Sequence, residues 1–264
     1  MNIKKFPAFA AVILDLDGVI TKTAATHTAA WKKIFDQYLK QREHLYNESF
    51  SEFSQDDYLT YVDGKPRYEG VDSFLRSRGI ELPYGSQEDD PDAETVCGLG
   101  NRKNRAFRKI LKKEGTEVYP STLKLLRKLK ESGIPLAVAS SSKNCTDILK
   151  AVDLLDFFDA QVDGKVLEKL GLKGKPRPDM FTKSSEFLGT TPSNSIVVED
   201  ATSGVKAGSD GGFGLTLGIA RKNNTDELMQ NGADYVVTDL AEINGIKGLN
   251  DIFVSITSSR QKNH

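Results

Sequence analysis

Short apolar, β-branched runs recur along the chain: AAVILDL (10–16), IPLAVASS (134–141), SIVVED (195–200), FGLTLG (213–218) and DYVVTD (234–239). Runs of this length and composition predict strands, and the lack of polar alternation predicts that both of their faces are covered. Between them, STLKLLRKLKES (121–132), NCTDILKAVDLL (144–155) and DMFTKSSEFLG (179–189) carry apolar residues at helical spacing. Strands alternating with helices predict an α/β fold, a doubly wound parallel-sheet (Rossmann-like) core. Such sheets bind ligands outside the carboxyl ends of their strands.

The rhythm breaks after the first strand, because residues 17–121 fill a gap that a single crossover helix would span. The interval predicts an inserted, mainly α-helical domain over 23–115, with residues 1–22 and 116–264 forming the α/β core. The insert opens with a helix over 27–41, where Trp31, Ile34, Phe35, Tyr38 and Leu39 share one face, and closes with a basic helix over 102–113. Turn-rich stretches, YVDGKPRYEG (61–70) and EDDPD (88–92), lie between them. The closing SSRQKNH (258–264) reads as a frayed tail.

Charge at the strand ends changes the picture. Asp15 and Asp17 in LDLDGVIT sit two residues apart, so on an extended segment they share a face, and Gly18 lets the backbone turn close to a ligand. A second pair, Glu199–Asp200, ends another strand. Only Lys175, in GKPRPD, is an obvious counter-charge, so four converging acids call for a hard cation with oxygen ligands, and Mg²⁺ suits. The competing reading makes Asp15 and Asp17 helix caps or turn residues. The second acidic strand end, the serines at 140–142 and Lys175 together favour a site.

Composition removes several classes. The 264 residues are 38% apolar and 28% charged with net charge −1, an ordinary globular balance without a global basic field for nucleic acid. No apolar run approaches a membrane span of about 20 residues, and no membrane partner is expected. Two cysteines, Cys97 and Cys145, are too few for a disulfide framework, and a cytoplasmic protein is expected. Lys4–Lys5 and the apolar run after them imitate a leader only faintly, since the run continues into Asp15 without a cleavage site. GLGNRK (98–103) and GSDGGFG (208–214) match no nucleotide-binding pattern and fit turns or helix ends. The basic stretch 102–113 interleaves its charges with Phe107, Ile110 and Leu111, as a solvated helix face does. A nucleic-acid or partner-binding module is the distant alternative.

Four ordered motifs, DLDGVIT (15–21), SSSKN (140–144), KPRPD (175–179) and VVED (197–200), resemble those of the haloacid dehalogenase superfamily across about residues 10–240. The β-phosphoglucomutase-like members are the most similar. They add Thr23, His27 and Trp31, RKN (102–104) and VYP (118–120). The resemblance implies Asp15 as the nucleophile that forms an aspartyl phosphate and Asp17 as general acid and base. It implies that Asp15, the Asp17 carbonyl and Asp200 hold Mg²⁺ with Glu199 assisting. Ser140 then binds the transferring phosphoryl group and Lys175 neutralises it. Thr23 falls at the hinge, and His27 is expected to orient Asp17. Ser142, Lys143 and Asn144 are expected to hold a second phosphate, with Arg67 of GKPR as the phosphate arginine of the insert. Trp31 is expected in the insert's core.

The implied activity is a Mg²⁺-dependent phosphotransferase, a β-phosphoglucomutase acting on a small sugar phosphate, with a sugar-phosphate phosphatase as the alternative and a monomer as the expected state. The insert would close the site and select the substrate. Two departures stand out: Lys22 occupies a position where members commonly carry an acid, and the middle of the insert exceeds what a compact helical cap requires.

Overall fold

The computed structural model describes residues 7–221 and 223–262, so Lys4–Lys5 and the last two residues of the tail lie outside the described residues. The chain divides into two units, Met1–Thr21 with Val118–His264, and Lys22–Glu117. In chain order, β1 (Ala11–Leu14) is followed by α1 (Ala24–Tyr46), α2 (Gln55–Asp57), α3 (Arg67–Ser77) and α4 (Val96–Glu114). The first unit resumes with α5 (Pro120–Glu131), β2 (Leu136–Ser140), α6 (Cys145–Ala151), β3 (Ala160–Asp163), α7 (Gly164–Leu170) and α8 (Asp179–Phe187). It ends with β4 (Ser195–Glu199), α9 (Thr202–Asp210), β5 (Leu215–Ile219), α10 (Thr225–Gln230), β6 (Tyr235–Val237) and α11 (Gly245–Lys262).

In the first unit six strands form one sheet in the order β3-β2-β1-β4-β5-β6, and every pairing is parallel. All residues of β1, β2, β4 and β5 are buried, which is why these segments read as unbroken apolar runs. Each fully buried Val, Leu or Ile contributes about 1.5–3 kcal/mol, so the central strands supply much of the stability. The strand order reverses direction between β1 and β4, whose register pairs Leu14 with Val198. Open α/β sheets bind their ligands at such a switch point.

Two sequence expectations for this unit change. The strand β3 carries no apolar run: of its four residues AQVD only Val162 and Asp163 are buried, because it is an edge strand. The expected frayed tail is helical as far as Lys262. Arg260 anchors it, donating to Phe213 O at 2.7 Å and pairing with Asp234 Oδ1 at 2.5 Å. Gly208 lies inside α9 and Gly211 caps it, in keeping with a helix end for that glycine run.

The second unit has its own core, in which Trp31, Phe35, Phe53 and Phe74 pack with ring centroids 4.1–5.1 Å apart. The apolar face of α1 holds all five residues that share it in the sequence pattern. The closing helix begins at Val96, six residues before the basic stretch. Thr95 caps it by accepting from Gly98 N at 2.9 Å. Gly98 and Gly100 are therefore helical, not turn residues, and they give close packing: a Cβ on Gly98 would lie 2.3 Å from Ala93 O, and one on Gly100 2.6 Å from the Tyr68 ring.

The insert leaves and re-enters the first unit through adjacent backbone. Thr21 bridges Val118 antiparallel, and Lys22 N donates to Glu117 O at 2.8 Å. Lys22, the departure noted in the sequence, meets the acid Glu117 at 2.6 Å. Both side chains are exposed, so the pair adds little to stability.

Candidate active site

The site in the first unit is built on the ends of β1, β2 and β4. Asp15 follows β1 directly, and its backbone N–H donates to Val198 O at 3.0 Å, continuing the ladder with β4. Its carboxylate accepts from Lys175 Nζ. Lys175 is fully buried and also donates to Glu199 Oε1 at 2.6 Å and, more weakly, to Ala139 O at 3.4 Å. The other oxygen of Glu199, Oε2, accepts from Ala201 N at 2.7 Å. One ammonium thus sits between two carboxylates in a dry setting. Burial pushes the Asp15 carboxyl well above its ordinary range, against the pull of Lys175, and the charges of Glu199 and Asp17 add to the rise. Burial by itself would lower the Lys175 ammonium, but Asp15 and Glu199 carry it above its usual value, so it stays charged.

Two glycines make room for these acids. A Cβ on Gly18 would lie 2.0 Å from Asp200 Oδ2, and one on Gly204 would lie 1.8 Å from Glu199 Oε1. Gly18 also adopts φ +92°, in the region that favours glycine. Gly18→Ala is expected to destabilise the fold by roughly 1–3 kcal/mol, through positive-φ strain and displacement of the Asp200 carboxylate. Urea unfolding measures it, and an unchanged midpoint would refute the close approach.

The β2 end supplies Ser140, 1% exposed, whose Oγ accepts from Ser142 N at 3.1 Å. Ser142 Oγ in turn accepts from Asn144 N at 3.2 Å, so the 140–144 turn is folded by its own hydroxyls. Lys143 pairs with Glu168 at 2.7 Å.

The donor chemistry fits Mg²⁺. Asp15 and Asp200 offer carboxylates at the ends of adjacent strands, the Gly18 backbone lies against Asp200, and Lys175 is hydrogen-bonded to both Asp15 and Glu199. Lys175 and the Ala201 amide engage the two oxygens of Glu199. Among the described residues no three His, Cys, Asp or Glu side chains are grouped to hold a metal ion, so a donor set here needs backbone oxygen beside two carboxylates.

In the second unit, His27 Nδ1 and Lys103 Nζ are 2.7 Å apart, and the imidazole packs on Phe107 with centroids 4.1 Å apart. Lys103 is 4% exposed and also lies 4.6 Å from the Trp31 ring centre. A lysine that donates to Nδ1 holds the ring in the tautomer protonated on Nε2. Thr23 is buried, and its carbonyl accepts from His27 N at 2.9 Å. Arg67 donates to Asn101 Oδ1 at 3.4 Å and packs beside the Tyr68 ring; its burial lowers the guanidinium pKa. Sequence reading alone did not single out Lys103, Asn101 or Arg221 as site residues. For Arg221 a signal existed: a charged residue immediately beyond the carboxyl end of an apolar run.

A parallel sheet with a buried Asp–Lys–Glu cluster at its switch point defines an enzyme site, and sequence comparison gives the class. Residues 9–212 match the family described as haloacid dehalogenase-like hydrolase. The chain belongs to that family and is an enzyme of its phosphomutase or phosphatase type. A β-phosphoglucomutase of Mycobacterium bovis is 47% identical over 237 residues, 88% of this chain and 90% of the relative. An uncharacterized glycosyl hydrolase of Mycobacterium tuberculosis is 36% identical over 233 residues, 88% of this chain but 17% of that longer protein. The crystal structure of a β-phosphoglucomutase from Clostridium difficile has the same fold, with TM-score 0.75 at 22% identity, covering 94% of this chain and 98% of that one. No described helix is long and apolar enough to cross a membrane.

Proposed function

We propose that the protein is a Mg²⁺-dependent β-phosphoglucomutase that converts β-glucose 1-phosphate to glucose 6-phosphate through a phosphorylated Asp15. The observation that carries this is the buried Asp15, hydrogen-bonded to Lys175 at the switch point, in a chain 47% identical to a β-phosphoglucomutase. Asp15 Oδ attacks phosphorus as the P–O bond to the donor breaks, and Asp17 gives its proton to the departing donor oxygen. The phosphoryl group then passes from Asp15 to a sugar hydroxyl, whose proton goes to Asp17. Lys175 balances charge on the phosphoryl oxygens, and Ser140 donates a hydroxyl to them. Glu199 holds Lys175 in place. Asp15, Asp200 and the Asp17 carbonyl are assigned to Mg²⁺, which would supply further neutralisation of the phosphoryl oxygens when bound.

Substrate selection is assigned to the inserted unit. Arg67, held by a neutral amide, suits a phosphate, and the Nε2–H of His27 is a fixed donor. Ser142, Lys143 and Asn144 are assigned to the second phosphate that a mutase must hold while the sugar turns round.

The family's description as hydrolases favours one competing reading, a sugar-phosphate phosphatase. Phosphorus NMR of β-glucose 1-phosphate with Mg²⁺ and a trace of glucose 1,6-bisphosphate separates the two. Glucose 6-phosphate should accumulate; release of inorganic phosphate in its place would make the enzyme a phosphatase.

A further inference from the structure

One partly buried cation of the first unit has no part in the scheme above. Arg221 follows β5 after a single residue, and its side chain is 13% exposed. Its Nε donates to Gly18 O at 2.9 Å. Its Nη1 donates to Thr238 O at 3.2 Å and to Asp239 Oδ2 at 3.0 Å, beyond the end of β6. The guanidinium carbon lies 3.7 Å from the centre of the Tyr119 ring, and Tyr119 N donates to Ile20 O at 3.0 Å. A planar guanidinium makes this possible, because its edge serves carbonyls while its face stacks on an aromatic ring. A lysine ammonium cannot do both.

We infer that Arg221 is a positioning residue that fixes the Asp17–Gly18 turn against Asp200. Gly18 is held from two sides. Its α-carbon faces the Asp200 carboxylate so closely that a Cβ would lie 2.0 Å from Oδ2, and its carbonyl is the acceptor for Arg221. A glycine at φ +92° has little stiffness of its own; its N–H donates to Thr21 O at 2.8 Å, and the bond from Arg221 to its carbonyl restrains the other side of the residue that follows Asp17. Asp17 precedes it, with the side chain assigned to proton transfer and the carbonyl assigned to Mg²⁺. The inference therefore rests on the roles proposed for Asp17 and Asp200. If Arg221 served only to tie β5 to β6, its bonds to Thr238 and Asp239 would suffice, and Nε would have no need of a partner across the sheet on the loop after β1.

The test compares R221Q and R221K with the wild-type enzyme, well below their melting temperatures. R221Q should lower kcat about 30-fold and weaken Mn²⁺ binding, read by electron paramagnetic resonance without substrate, about fivefold to tenfold. KM for β-glucose 1-phosphate should stay within about threefold, since substrate contacts are untouched. R221K, which keeps the charge and can reach one acceptor, should recover part of both losses. A purely structural arginine would lower the melting temperature and leave kcat and Mn²⁺ affinity of the folded protein within about twofold of wild type; that result overturns the inference. If R221Q does not fold, R221K decides on the same readings. Asp200→Asn in the same binding assay tests the underlying assignment separately. Unchanged Mn²⁺ affinity there would sink the metal reading, and the split between kcat and KM would then decide the role of Arg221.

Discussion

Asp15→Asn is expected to abolish turnover, lowering kcat by roughly four orders of magnitude or more, while the protein stays folded. The amide matches the carboxylate in shape but cannot attack phosphorus as an anion. Stability should hold or rise, because burial and the charges of Glu199 and Asp17 disfavour the wild-type carboxylate, and the amide carries no charge. Lys175 keeps its bond to Glu199 in the variant, so its charge stays paired. Steady-state kinetics and a thermal melt on the same sample separate the two effects. Substantial turnover by well-folded Asp15→Asn would remove the nucleophile from the mechanism.

The largest structural effect is expected at Lys175. Its ammonium is the shared donor between Asp15 and Glu199, each nearly or fully buried, and it also lies 4.9 Å from the Phe181 ring centre. Lys175→Met keeps the aliphatic stem and leaves two buried carboxylates facing each other. Breaking a buried pair in this way costs about 3–5 kcal/mol. In a chain of this size that corresponds to a fall in Tm of roughly 10 °C. Turnover should also be lost, since no cation would balance the phosphoryl oxygens. Adding Glu199→Gln should return part of the stability and none of the activity. A Tm unchanged by Lys175→Met would mean that the cluster is not a charged triad.

The parts of this molecule that the sequence made legible are those where one physical cause acts alone. The strands β1, β2, β4 and β5 are buried throughout, and burial leaves a short apolar, β-branched run bounded by turn residues. Edge strand β3 was illegible because half of it is only partly buried, so its sequence AQVD carries no pattern. Among site residues, Asp15 and Lys175 stood out as charges at strand and loop ends. The function of Glu199 was harder, since a sequence shows a charge and not what faces it; the Ala201 amide and the ammonium beside it appear only in three dimensions. The same holds for Lys103. On sequence it lies in the RKN motif of the resemblance without an assigned role, and its burial against Trp31 and His27 comes from packing between α1 and α4.

The rung formed by Thr21 with Val118, and by Lys22 with Glu117, bears on how such a chain can change over time. To the sheet, everything between those residues is a hairpin loop grown to the size of a domain. Its ends are about 5 Å apart, as antiparallel neighbours are. The entropy of closing a loop rises only slowly with its length, and a folded insert arrives with its ends already paired. Other modules of any length that end in one such rung would therefore be interchangeable with this one. Phosphoryl chemistry and acceptor choice would then be inherited on separately exchangeable pieces of a single chain.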